Sequence, residues 1–188
     1  MKKLIIPILC IILLCGCENK PQEYMVTAIG VDYDKGLYTV SFEALIINTE
    51  NEEQELKVIT GKERTLLKAV EEIKKQNTLP LMLSHCGIVA VGDGISREKL
   101  KGIMRFAKEH GDITLSVLFL KTENANKLLD SKPLSSASVG YDLMSMLKTA
   151  KESENKSIKN RLFEICENES PVLPRIEKNE KGYYFAEY

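Results

Sequence analysis

Residues 23–47 constrain this chain more than any other stretch. Glu23-Tyr24-Met25-Val26-Thr27-Ala28-Ile29-Gly30-Val31-Asp32 is apolar at odd and even positions alike, the pattern of a strand inside a sheet covered on both faces. Tyr33-Asp34-Lys35-Gly36 supplies turn chemistry. From Leu37 to Ile47 the apolar residues Tyr38, Val40, Phe42, Ala44 and Ile46 then alternate with Thr39, Ser41 and Glu43. A strict period of two predicts a strand with one face buried. The short turn pairs the two strands as an antiparallel hairpin.

The remaining segments add helices and further strands. Asn48 to Glu55 reads as a polar loop and Leu56 to Thr60 as a short edge strand. Gly61-Lys62-Glu63-Arg64 opens a helix with Leu66, Leu67, Val70 and Ile73 inward and Lys68, Glu71, Glu72, Lys74 and Lys75 solvated. Asn77 and Pro80 end it. Gly87-Ile88-Val89-Ala90-Val91 is β-branched and apolar on both faces, as a central strand requires. Ser96 caps a second helix with Leu100, Ile103, Met104 and Ala107 inward. Ile113 to Leu120 alternates, then becomes fully apolar, and predicts a fourth strand. Helical crossovers between consecutive strands favour parallel, right-handed units. The fold class is therefore α+β, a mixed β-sheet with an N-terminal antiparallel hairpin and helical crossovers.

Further helices follow on the C-terminal side. Asn124 to Asp130 is short. Ser136 to Lys151 carries Val139, Leu143, Met146, Leu147 and Ala150 on one stripe, and Lys156 to Glu167 buries Ile158, Leu162 and Ile165. Pro171 and Pro174 bracket an extended segment. Gly182 to Tyr188 predicts a strand seeking a partner sheet, in this chain or in another.

The N-terminus indicates where the domain lives. Lys2 and Lys3 precede an apolar run from Leu4 to Leu14, closed by Leu14-Cys15-Gly16-Cys17. A bilayer span needs roughly 20 apolar residues, and polar Glu18 to Glu23 follows at once. This is the pattern of a bacterial signal peptide ending in a lipobox. Cleavage between Gly16 and Cys17 leaves Cys17 to carry diacylglycerol and an N-acyl chain, enough for stable anchoring, which takes more than one chain. The expected organisation is a signal peptide at 1–16, a lipidated polar linker at 17–22, an α+β domain at 23–170, and an extended tail or the start of a second domain at 171–188.

Composition and motifs restrict the chemistry. Loss of Lys2 and Lys3 lowers the 26 basic residues by two against 27 acidic ones, a net charge near −3. A nucleic-acid binder shows a basic balance or patch, and this chain has neither. Cys10 and Cys15 leave with the signal and Cys17 is acylated, so Cys86 and Cys166 remain. They are able to pair outside the cytoplasm, although isolated cysteines are more often small buried apolar residues. The only histidines are His85 and His110. No C-x-x-C or H-E-x-x-H spacing supports zinc, and Gly92-x-Gly94 lacks the rest of a phosphate-binding loop. Ser84 and His85 have no evident orienting acid for a triad. Asp32 and Asp34 flank a turn, where carboxylates cap backbone amides. His85 fits a strand-end histidine bonded to backbone. No catalytic residue, metal site or cofactor is expected beyond the lipid on Cys17.

Several of these stretches together resemble one family. The lipobox cysteine, the strand Val26-Thr27-Ala28-Ile29-Gly30-Val31-Asp32 with its turn and partner, the helix after Gly61, and Ser84-His85 leading into Ile88-Val89-Ala90-Val91-Gly92 look like the N-terminal part of Ger(x)C spore-germination lipoproteins. Thr27, Gly30, Asp32 and His85 are the family-motif residues. The resemblance implies a non-enzymatic lipoprotein subunit of a germinant receptor in spore-forming Firmicutes, anchored through Cys17 on the outer face of the spore inner membrane. It also implies two integral membrane subunits as partners. The alternatives are a small-ligand-binding lipoprotein of the solute-binding type and a truncated, inactive receptor subunit.

Overall fold

The computed structural model describes residues 23–47, 54–109, 112–153, 160–166 and 171–186. The hairpin forms as its sequence predicts. β1 (Tyr24–Asp34) pairs antiparallel with β2 (Leu37–Ile47). Lys35 and Gly36 between them both take positive φ, 49° and 84°, the tight-turn geometry that matches strand twist. β3 (Gln54–Glu63) adds antiparallel to β2 along its whole length. Gly61-Lys62-Glu63, expected to open a helix, instead completes this edge strand. The better cap decides the helix start: Thr65 accepts the Lys68 N–H at 3.3 Å, and α1 runs Leu66–Gln76. Its core face is then Leu66, Ala69, Val70 and Ile73, at i, i+3, i+4 and i+7. Leu67, expected inward, falls off that stripe and is exposed.

β4 (Leu81–Met82), a 3₁₀ turn at Leu83–His85 and β5 (Ile88–Gly92) lie in succession along β1, both strands parallel to it. α2 (Arg97–Glu109) crosses over to β6 (Leu118–Thr122), parallel to β5. β6 starts later than its alternating sequence predicts. Ile113 and Val117 are buried there but Leu115 is exposed. The ladder begins only where β5 offers a partner, at Ile88 opposite Leu118.

Three helices follow: α3 (Ala125–Leu129), α4 (Val139–Ser153) and α5 (Leu162–Ile165). The helix expected from Lys156 is described only as the four residues of α5, and Ile158 lies outside the described residues. β7 (Ile176–Asn179) and β8 (Gly182–Phe185) form a separate antiparallel hairpin. The last strand thus finds its partner within the chain.

The main sheet is ordered β3-β2-β1-β5-β6, with β4 also on β1. Mixed strands with helices on both faces bear out the α+β expectation. Under α1 and α2 lies an apolar core containing Val26, Ile29, Phe42, Val89, Val70, Ile73 and Ile103. A second core under α3 and α4 contains Ala28, Ile88, Ala90, Leu120, Leu129, Val139 and Leu143. β2 was expected to bury one face, yet Ser41 and Glu43 on the other are also buried. The covering helices α3 and α4 come from distant sequence, which period-two alternation cannot register.

Candidate functional site

The buried polar residues between sheet and helices gather around Glu43. A register shift in β1 between Val26 and Ala28 sets two residues, Thr27 and Ala28, against Glu43 alone. Such a bulge re-aims a side chain, and Thr27 turns onto its partner. The Thr27 hydroxyl donates to Glu43 Oε2 at 2.7 Å. The first N–H groups of α4 complete the shell: Val139 donates to Oε1 at 2.6 Å and Gly140 to Oε2 at 2.8 Å. Helix N-termini leave such donors unpaired and carry partial positive charge, so a carboxylate is the group that suits them. Burial pushes the Glu43 carboxyl above its usual value, against the pull of Thr27, Gly140 and Val139.

Asp32 repeats the arrangement at the other end of the same face. Ala125 and Asn126 at the start of α3 donate their N–H groups to Asp32 Oδ1 and Oδ2, both at 2.8 Å. The Asn126 amide then donates to Ser41 Oγ at 2.6 Å and Thr60 Oγ1 at 3.1 Å, joining α3 to β2 and β3. Gly30 permits this close approach. A Cβ there would meet Leu129 Cδ1 at 3.1 Å and the Ala125 backbone at 3.2 Å. Thr27, Gly30 and Asp32 therefore act together as a seam that seats two helices on the sheet. Asp32 does cap backbone amides, but those of a helix 93 residues further along the chain rather than those of the turn it flanks.

This seam also fills the place where an open α/β sheet ordinarily binds a ligand. Strand order reverses between β1 and β5, and ligands of doubly wound sheets sit beyond the C-terminal strand ends at such a point. Here a Cβ on Gly92 would lie 2.0 Å from Asp32 Oδ1. The carboxylate occupies the crevice. Beyond it, Arg175 grips Asp93 with two hydrogen bonds of 2.6 and 2.8 Å and reaches Glu177 at 2.9 Å. Glu177 accepts from the Glu123 N–H at 2.9 Å, and Lys121 donates its N–H to the Pro174 carbonyl. The C-terminal hairpin is thereby clamped over this end of the sheet. Arg175 holds the Asp93 carboxyl below its usual value.

The histidine singled out in the sequence stands apart. His85 is exposed in the 3₁₀ turn between β4 and β5, so it is not the strand-end histidine expected. That turn flanks β1 beside the bulge, and the Gly87 N–H donates to the Thr27 carbonyl at 3.0 Å. Cys86 and Cys166 are free thiols. Cys86 is buried, which pushes it up to about 12. Cys166 is exposed and not the buried apolar residue expected. Leu14, Cys15, Gly16 and Cys17 lie outside the described residues. Among the described residues no group of three or more His, Cys, Asp or Glu is placed to hold a metal ion, and no helix is long and apolar enough to cross a membrane.

Sequence reasoning missed Glu43 and Asn126. Glu43 occupies a polar slot of an alternating strand, indistinguishable by pattern from a solvent-facing residue. Asn126 follows the cap Asn124 in a helix of five residues, too short to carry a periodic signal.

The family model for the spore germination protein N-terminal domain matches residues 22–178. No curated protein and no solved structure matches the chain. With the match extending over most of its length, and with the strand that carries Thr27, Gly30 and Asp32 at the centre of the sheet, this chain belongs to the spore germination proteins and contains their N-terminal domain.

Proposed function

We propose that the chain is a non-enzymatic, membrane-anchored lipoprotein subunit of a spore germinant receptor, working as a scaffold that couples germinant sensing to its partners. The observation that carries this reading is the filled crevice. Asp32 engages the α3 amides where a ligand or substrate would otherwise sit, and Glu43 engages α4. Carboxylates committed to helix N-termini are poor candidates for acid or base catalysis, which needs a group within reach of substrate. The family match supports the germination role. The lipobox supports diacylglycerol and N-acyl attachment at Cys17, on the extracytoplasmic face of the spore inner membrane. Two integral membrane subunits are the proposed partners.

A tagged copy that keeps Cys17, recovered from spore inner membranes, is expected to bring two multi-spanning subunits with it. Cys17→Ala is expected to leave the membrane fraction after a high-salt wash. Recovery of no membrane subunit, from a protein absent from spores, would overturn the reading. Thermal shift against amino acids and sugars tests the scaffold role separately. A ligand that binds the native state stabilises it, so a reproducible shift would favour a direct ligand-binding lipoprotein.

A further inference from the structure

The two ends of the sheet differ in a way that the receptor role alone does not explain. The end where β1, β5 and β6 finish is closed by the Asp93–Arg175–Glu177 cluster. The end where these strands begin carries exposed apolar side chains. Leu115 and Phe163 are 52% and 47% exposed, and they are neighbours, because the Phe163 N–H donates to the Leu115 carbonyl at 3.2 Å. Beside them lies a groove of about 310 Å³ floored by Val117, Met144 and Leu147, with exposed Lys148 and Arg161 on its wall. Asp112 and Glu164 are acids on the same end, as are Glu23 and Glu55 at the starts of β1 and β3 and Glu109 at the end of α2. The Glu164 carboxylate is turned back to accept the Arg161 N–H at 3.0 Å.

Apolar side chains flanked by cations form the pattern of a surface that meets anionic lipid. The chain outside the described domain points the same way. β1 starts at this end, at Tyr24. The six residues from Cys17 to Gln22 span at most about 20 Å when fully extended. We propose that this end of the domain docks on an anionic phospholipid surface. Leu115 and Phe163 sit at the acyl boundary, and Lys148 and Arg161 lie against headgroup phosphates. The inference rests on the lipid anchor at Cys17 proposed above. It adds an orientation, with the Arg175 cluster and the C-terminal hairpin facing away from the bilayer.

The test uses the full lipidated chain in vesicles of phosphatidylglycerol and phosphatidylethanolamine containing spin-labelled acyl chains. A bimane fluorophore is placed at Phe163→Cys, or at Glu98→Cys on the opposite end, each with Cys166→Ser. The label at position 163 is expected to be quenched severalfold more than that at position 98. Lys148→Glu with Arg161→Glu is expected to abolish most of this difference. A lipidated chain that floats with vesicles but quenches equally at both positions would overturn the orientation while leaving the anchor intact. Equal quenching contrast in neutral phosphatidylcholine vesicles, unaffected by charge reversal, would overturn the anionic-lipid contact. A chain whose mass shows no lipid on Cys17 would overturn the anchor reading and this inference together.

Discussion

Phe42 and Glu43 are adjacent on β2, both fully buried, and they are held by different physics. Phe42 enters the core under α1 and α2, where contact is apolar and roughly proportional to area. Glu43 enters the face under α3 and α4, where a carboxylate and its neighbours decide how the helices seat. The apolar face tolerates changes of shape that keep volume. The polar face tolerates almost no change in chemistry, since a buried donor left unpaired costs about 1–3 kcal/mol. One face thus supplies bulk stability, and the other specifies where α3 and α4 attach.

The largest expected break in this contrast is at Glu43 itself. Glu43→Ala strands the Thr27 hydroxyl and two helix amides, and is expected to cost about 4 kcal/mol in urea unfolding. Loss of less than about 1 kcal/mol would show that water or repacking replaces the carboxylate. The isosteric pair is sharper. Glu43→Gln is expected to cost about 2 kcal/mol, because one carboxylate oxygen becomes an NH₂ facing donors. Phe42→Leu next to it is expected to stay near or below 1.5 kcal/mol. A reversal of that order would remove the distinction between the faces.

Gly30→Ala probes the same face through space. Its new Cβ would press on Leu129 and the Ala125 backbone, and about 2 kcal/mol of destabilisation follows from overpacking of this kind. Hydrogen exchange is expected to rise in α3 before it rises in α1. Uniform acceleration across both helices would mean that the seam does not act locally.

The pH dependence follows from the burial that raises Glu43, with Asp32 raised by burial as well. Between the unfolded and folded values the native state holds more protons than the unfolded chain. Stability from these groups is therefore greatest below the unfolded carboxylate value and declines as pH rises through the folded one. Glu43→Gln is expected to flatten that decline, and Phe42→Leu to leave it unchanged. Parallel pH profiles for wild type and Glu43→Gln would refute the assignment. The smallest effect belongs to the exposed cluster. Arg175→Ala is expected to cost about 0.5–1 kcal/mol, less at high salt, since exposed ion pairs contribute little. A cost above about 2 kcal/mol, insensitive to salt, would place the clamp among the buried polar interactions.

Much of the fold was legible because local pattern and final environment agree. β1, β2 and their turn, β5, α2 and α3 stand where apolar period, caps and turn residues place them. Elsewhere local signals competed. Gly61 punctuates the chain like a helix start, but the β2 ladder extends past it to Glu63. Ile113 to Val117 alternates like a strand, but the β5 ladder starts only at Leu118, and its carbonyls instead take isolated hydrogen bonds from Leu162 and Phe163. Thr27, Gly30 and Asp32 were legible as residues and not as a device. Thr27 is aimed by a bulge that no pattern announces, and Asp32 caps a helix that lies 93 residues further along the chain.

By itself the sequence determined the elements whose information is local: a hairpin with a tight turn, a β-branched central strand, and amphipathic helices with their caps. Only the tertiary structure decided that Glu43 is interior, that Thr27, Gly30 and Asp32 form one seam, and that the final strands clamp the sheet through Arg175. Burial of a polar residue depends on what distant sequence brings over it. Helix amides that need an acceptor find one only after the chain has folded back, so their partners leave no periodic trace along the chain.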